Sequence, residues 1–141
     1  MRTTYIFVVL MGLLLGCKSN KIISDHSEVK KILIFHFPFE IKLRRGIRYN
    51  EIEKRCSHII KINPKRNNYF SHYSELRNVI DSLKHIDNIN TDSLVVRTKM
   101  VFSFKNIKQK KVIYLLEDKT VVIDDIRYNR SRSILSLLDI N

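Results

Sequence analysis

The sequence predicts an α+β fold: a small single domain in which an antiparallel sheet, ending in a C-terminal three-stranded meander, packs against an amphipathic helix. Three observations carry the prediction. Leu94 to Phe104 alternates, with Leu94, Val96, Met100, Phe102 and Phe104 on one face and Arg97, Lys99 and Ser103 on the other, the pattern of a half-buried strand. Tyr73, Leu76, Ile80 and Leu83 recur three and four apart, with Val79 alongside, which makes one apolar stripe on a helix. Strand-like and helix-like runs then follow one another without the regular alternation of a parallel α/β fold.

In chain order, Val29 to Phe39 is rich in β-branched and aromatic residues and reads as a central strand, apolar on both faces. Pro38 marks its end, because proline cannot donate to a ladder. Glu40 to Ile47 reads as a short second strand or a loop, with Gly46 favouring a turn. Tyr49 to Cys56 reads as a short helix, capped by Asn50 with Glu53 reaching back. His58 to Ile62 reads as a brief strand stopped by Asn63-Pro64, and residues 65–68 as loop. A helix is expected from Phe70 to Ile86, with Arg77 and Asp81 as an i,i+4 pair on its outer face. Residues 87–92 break the periodicity. Val112 to Leu116 and Val121 to Ile126 complete the meander through polar connections of hairpin length, and Ser131 to Asp139 closes the chain as a short helix.

The chain opens on a different kind of segment. Arg2 is followed by Tyr5 to Gly16 without a charge, shorter than the roughly 20 apolar residues that span a bilayer and matching the apolar stretch of a secretory signal. It ends in Leu14-Leu15-Gly16-Cys17. These four residues resemble the lipobox of bacterial lipoproteins. The resemblance implies cleavage before Cys17, a diacylglycerol on its sulfur and a further acyl chain, of the palmitate type, on its amine. It sets off a signal peptide, 1–16, and a lipidated Cys17; the polar composition of the residues that follow makes 17–28 the lipidated cysteine and tether, and leaves 29–141 as a single α+β domain. Lys18 follows the cysteine where an Asp would retain some lipoproteins at the inner membrane, so the resemblance favours the outer membrane facing the periplasm.

The formal net charge is +12 with two cysteines and no tryptophan. With Cys17 acylated, Cys56 has no partner for an internal disulfide, and the core alone must hold the domain in an oxidising compartment. Nucleic acid is not expected as a partner in the envelope, so the positive charge points to an acidic protein or to anionic lipid or polymer. Richness in Ile, Lys and Asn matches AT-rich codons and accounts for part of the lysine, though less well for the arginine.

Catalytic sets are sparse. Cys56 and His58 lie at a helix-to-strand junction on a core-like face, which makes Cys56 a small buried apolar residue. The five histidines are scattered, with only His58 and His72 placed to converge, and no metal-ligand spacing is present. Asp124-Asp125 and Glu117-Asp118 stand at strand ends, without the tryptophan platforms that suit a glycosidase. Gly46 is the domain's single glycine, which excludes a glycine-rich phosphate loop. No catalytic residue, metal or cofactor is therefore expected. The binding candidates are Arg44, Arg45, Arg48, Tyr49, Lys65 and Arg66, which form one basic patch if the strand ending near 39 and the loop at 63–68 leave the sheet at the same end. Arginine forks grip carboxylates bidentately, and tyrosine is enriched in interfaces. The expected function is a lipid-anchored envelope protein with a non-catalytic binding domain, of the immunity or inhibitor type. The alternatives are a structural or assembly lipoprotein that lays a basic face on anionic lipid or polymer and, third, a cell-wall hydrolase.

Overall fold

The structure, a computed structural model, describes residues 21–86 and 95–139; Leu94, the signal segment, Cys17 and the 87–92 break lie outside them. Six strands, β1 (Val29–His36), β2 (His58–Ile62), β3 (Val96–Phe104), β4 (Lys110–Leu116), β5 (Val121–Ile123) and β6 (Ile126–Tyr128), form one sheet in the order β2-β1-β3-β4-β5-β6. Every neighbouring pair is antiparallel. The fold class is the expected α+β, and β1 is an interior strand as its two apolar faces require.

On the inner face, Ile32, Ile34, Met100, Phe102, Phe104, Ile113 and Leu115 form the larger core. Helix α3 (Tyr73–Asp81) covers it with Leu76, Tyr73, Val79 and Ile80, and the closing helix α4 (Arg132–Leu135), continued by a 3-10 turn over Ser136–Leu138, adds Ile134 and Leu137. Phe70 meets Phe102 edge-on at 6.0 Å, and Tyr73 meets Phe104 at 5.6 Å. The helix does cover the meander, but it is shorter than its apolar spacing suggested. Residues 71–73 are claimed by backbone bonds to the segment before β1: Val29 N–H donates to Ser71 O, and Tyr73 N–H to Ser27 O. Beyond Asp81, Lys84 N–H donates to the Asn129 side chain and Ile86 N–H to Arg127 O, so those residues run beside β6 instead of extending the helix.

The outer face is not open. Phe35, Val96, Val101, Leu116 and Val122 form a second core that is roofed by Ile47 and Ile52, with Leu43 and Tyr49 packed against it. The roof is the irregular segment 37–56, whose only helix is α1 (Ile52–Arg55). Residues 40–47 are therefore loop, not strand. Val96 belongs to this outer core, not with Met100 and Phe102, because the register slips between Val96 and Thr98.

Three further local expectations change. Helix α1 is headed by Glu51, not Asn50: the Glu51 carboxylate accepts from Arg48 N–H, while Glu53 pairs with Lys99. Residues 64–67 wind into the short helix α2 (Pro64–Asn67), with Asn63 accepting from Lys65 N–H and proline in the first turn, an N-terminal signature that a reading as loop overlooks. The stretch 121–126 is two strands, because Asp124 and Asp125 turn the chain with φ of 50° and 62°, the paired left-handed geometry of a tight hairpin. The segment before β1 is also more ordered than a tether. Ile23 packs on the inner core, Ser27 is buried, and the Asp25 carboxylate holds Arg77 at 2.9 Å. The folded unit thus includes the described residues from Ile23 onward.

Candidate functional site

The segment 37–56 carries most of the expected binding residues, and its position follows from a buried cation. Arg97, 2 % exposed, lies on the outer face of β3, where the alternation had set it towards solvent. Its guanidinium donates to Pro38 O at 3.2 Å, to Ile41 O at 2.7 Å and to the Glu117 carboxylate at 2.7 Å. A buried charge needs such partners, and here they are the loop's own carbonyls. The backbone pins the segment at two further points: Phe37 N–H donates to Arg97 O and Val96 N–H to Ile47 O, each at 2.8 Å. Beside the second pin, a Cβ on Gly46 would stand 2.9 Å from Val95 Cγ2, so a larger residue there would displace the Val95 side chain.

On this segment, Lys42, Arg44, Arg45 and Arg48 are all exposed. Arg45 pairs with Glu51 at 2.9 Å, and Arg55 approaches the same carboxylate at 3.7 Å. The Arg48 backbone N–H, outweighing partial burial, and then these cations hold the Glu51 carboxyl below the usual range. Among the described residues, the side chains of Lys42, Arg44 and Arg48 enter no ion pair. Their charge is directed outward.

The other half of the expected patch is elsewhere. β1 and β2 are antiparallel with His36 opposite His58 and Ile32 opposite Ile62, so β2 delivers the chain to the end where β1 starts. Lys65 and Arg66 on α2 thus stand at one end of the sheet, and Arg44, Arg45 and Arg48 at the other, about 23 Å away at 3.3 Å per strand residue. Lys65 is paired with Glu28 at 3.1 Å. Tyr49 is not a surface aromatic: it is half-buried in the outer core, with its ring edge-on to Tyr114 at 4.6 Å.

The side chains that could carry chemistry hold structural contacts instead. The Cys56 thiol donates towards His36 O at 3.1 Å and His58 O at 2.9 Å, and burial, opposed by those contacts, raises its pKa; a protonated thiol is a poor nucleophile. Asp124 pairs with Lys111. Glu117 serves Arg97, and Asp118 accepts from Thr120 and Arg127. His72 does not converge with His58: it pairs with Glu28 at the far end of β1. The described residues contain no group of three or more His, Cys, Asp or Glu suited to a metal ion.

One concavity was not foreseen. His36 and His58 stand opposite each other across β1 and β2, and with Pro38, Phe39, Leu135 and Leu138 they line a cleft of about 400 Å³. His36 Nδ1 lies 2.8 Å from Thr98 Oγ1. Burial, chiefly, pushes its pKa below the ordinary imidazole value, partly opposed by Glu40. The cleft forms only where the C-terminal helix meets the β1–β2 edge, a juxtaposition that no local pattern encodes. The outer core did leave a trace in the sequence: β4 reads Val-Ile-Tyr-Leu-Leu and β5 Val-Val-Ile, continuous apolar runs that imply cover on both faces.

No protein-family model, no curated protein and no solved structure matches this chain.

Proposed function

We propose that this chain is a lipid-anchored cell-envelope protein whose domain acts by binding, taking an acidic partner protein through the loop that presents Lys42, Arg44 and Arg48. The observation that supports this reading is the combination of three exposed cations outside any ion pair among the described residues with a loop already fastened by Arg97, Ile47 and Ile52. A loop ordered before binding loses less entropy on association. Arginine forks on such a loop suit the carboxylates of an acidic cleft, the chemistry expected of an immunity or inhibitor protein that covers a toxin or hydrolase. The structural employment of Cys56, Asp118 and Asp124 favours binding over hydrolysis. The anchor belongs to the same proposal: a lipid on Cys17 would keep the domain at the outer membrane, facing the periplasm.

The test is affinity capture from an envelope extract by the mature protein and by an Arg44→Glu/Arg48→Glu variant, with Arg45 left to its Glu51 partner. The expected result is a captured acidic protein whose recovery falls at least about tenfold with the variant and weakens with salt. Equal recovery by both proteins would sink the loop as the binding element.

A further inference from the structure

The described chain begins at the end of the sheet opposite the Arg44 loop. A shallow groove of about 400 Å³ brings Lys21 and Ile22 beside Lys105, Asn106 and Ile107 of the β3–β4 turn. From Ser24 onward the chain is fastened: Ser24 N–H donates to Ser27 Oγ at 2.9 Å, and Ser74 N–H donates to Asp25 O at 3.1 Å. Only three residues separate Cys17 from Lys21, and the four steps between them reach at most about 14 Å.

The outer face at this same end lies beyond the 37–56 roof and carries lysines. Lys31 on β1 and Lys110 on β4 both stand opposite Ser103, one from each side. Two strand spacings set them about 10 Å apart. Lys61 joins them on β2, opposite Leu33, and Lys108 stands in the β3–β4 turn. All four are exposed, and none enters an ion pair among the described residues. Glu28, which precedes β1, is already shared between Lys105 at 2.6 Å and Lys65 at 3.1 Å; those two ammonium groups keep its carboxyl below the usual range. Asp25 and Glu75 are engaged with Arg77 and His72 beside α3, which covers the other face of the sheet.

We propose that this lysine face seats the domain on the anionic phospholipid headgroups that surround its own anchor, an inference that rests on the reading of Cys17 as the lipid-bearing residue. The negative potential of such a surface fades over about 8–10 Å near physiological salt, and a tether of at most about 14 Å keeps this end of the sheet close to it. Lysine suits the task, because a compact, hydrated point charge needs no fixed partner geometry. A basic surface of this kind is also the second signal that strengthens acyl anchoring.

The test uses the chain as matured in a bacterial host, reconstituted into vesicles of phosphatidylcholine alone or with phosphatidylglycerol, then treated with an amine-acylating reagent and mapped by mass spectrometry. Lys31, Lys61, Lys108 and Lys110 are expected to label several-fold more slowly on the phosphatidylglycerol vesicles, and to regain full reactivity at high salt. Lys42 and Lys119, at the other end of the sheet, should label equally on both. Equal labelling of the four lysines on the two vesicle types overturns the proposal, as does salt-resistant protection on both. Intact mass tests the anchor separately. If Cys17 carries no lipid, the anchor reading fails, and co-sedimentation of the same protein with phosphatidylglycerol vesicles decides the lysine face alone: pelleting that is lost in Lys31→Glu/Lys61→Glu/Lys108→Glu/Lys110→Glu keeps it, and no pelleting removes it.

Discussion

Arg97 turns an irregular stretch of chain into a roof, because two loop carbonyls and the Glu117 carboxylate accept from the terminal nitrogens of its buried guanidinium. Replacing Arg97 with Ala leaves the Pro38 and Ile41 carbonyls short of a donor, and urea denaturation should show a loss of about 2–3 kcal/mol. Limited proteolysis should then cut within 38–47, which the wild type protects. This residue was misread from sequence for a physical reason: alternation along β3 says which residues share a face, but not what covers it. His36 makes a second point at this scale. Its burial favours the neutral ring, so the folded pKa lies below the unfolded value of 6.5. The associated stability is present above that value and lost as pH falls through the folded pKa. The urea midpoint of the wild type should therefore drop as the pH is lowered below 6.5, and His36→Gln should remove that part of the drop.

At the scale of elements, two tight places respond in opposite directions. Gly46→Ala drives a methyl into Val95 beside the Ile47–Val96 pin, and overpacking of this kind costs about 1–3 kcal/mol, readable in a thermal melt. The β5–β6 turn holds Asp125 at a φ of 62°, which glycine adopts without strain, so Asp125→Gly should raise stability by about 0.5–1 kcal/mol; Asp124 is left in place for its pair with Lys111. The elements legible in the sequence were those with long, regular periods: β1, the β3–β4 hairpin and the centre of α3. Their ends were not legible, because backbone bonds to distant segments set them. Ser71 and Tyr73 are held by the chain before β1, and Ile86 by Arg127. The hairpin at Asp124-Asp125 lacked a glycine to announce it.

For the whole molecule, the antiparallel pairing of β1 and β2 has the largest functional effect. It separates the Arg44–Arg48 loop from Lys65 and Arg66, which stand at the other end of the sheet together with the lysine face. Side-chain charges were legible one by one; their grouping depended on strand direction, which no short motif records. Because the two groups lie far apart and share no partners, their effects should add. Arg44→Glu/Arg48→Glu should reduce partner capture without changing vesicle protection, and the four-lysine reversal should do the opposite. The sheet also acts as a ruler. It sets the Arg44–Arg48 loop about 23 Å along β1 from the lysine face, so a ligand that engages one group leaves the other free to meet a second partner.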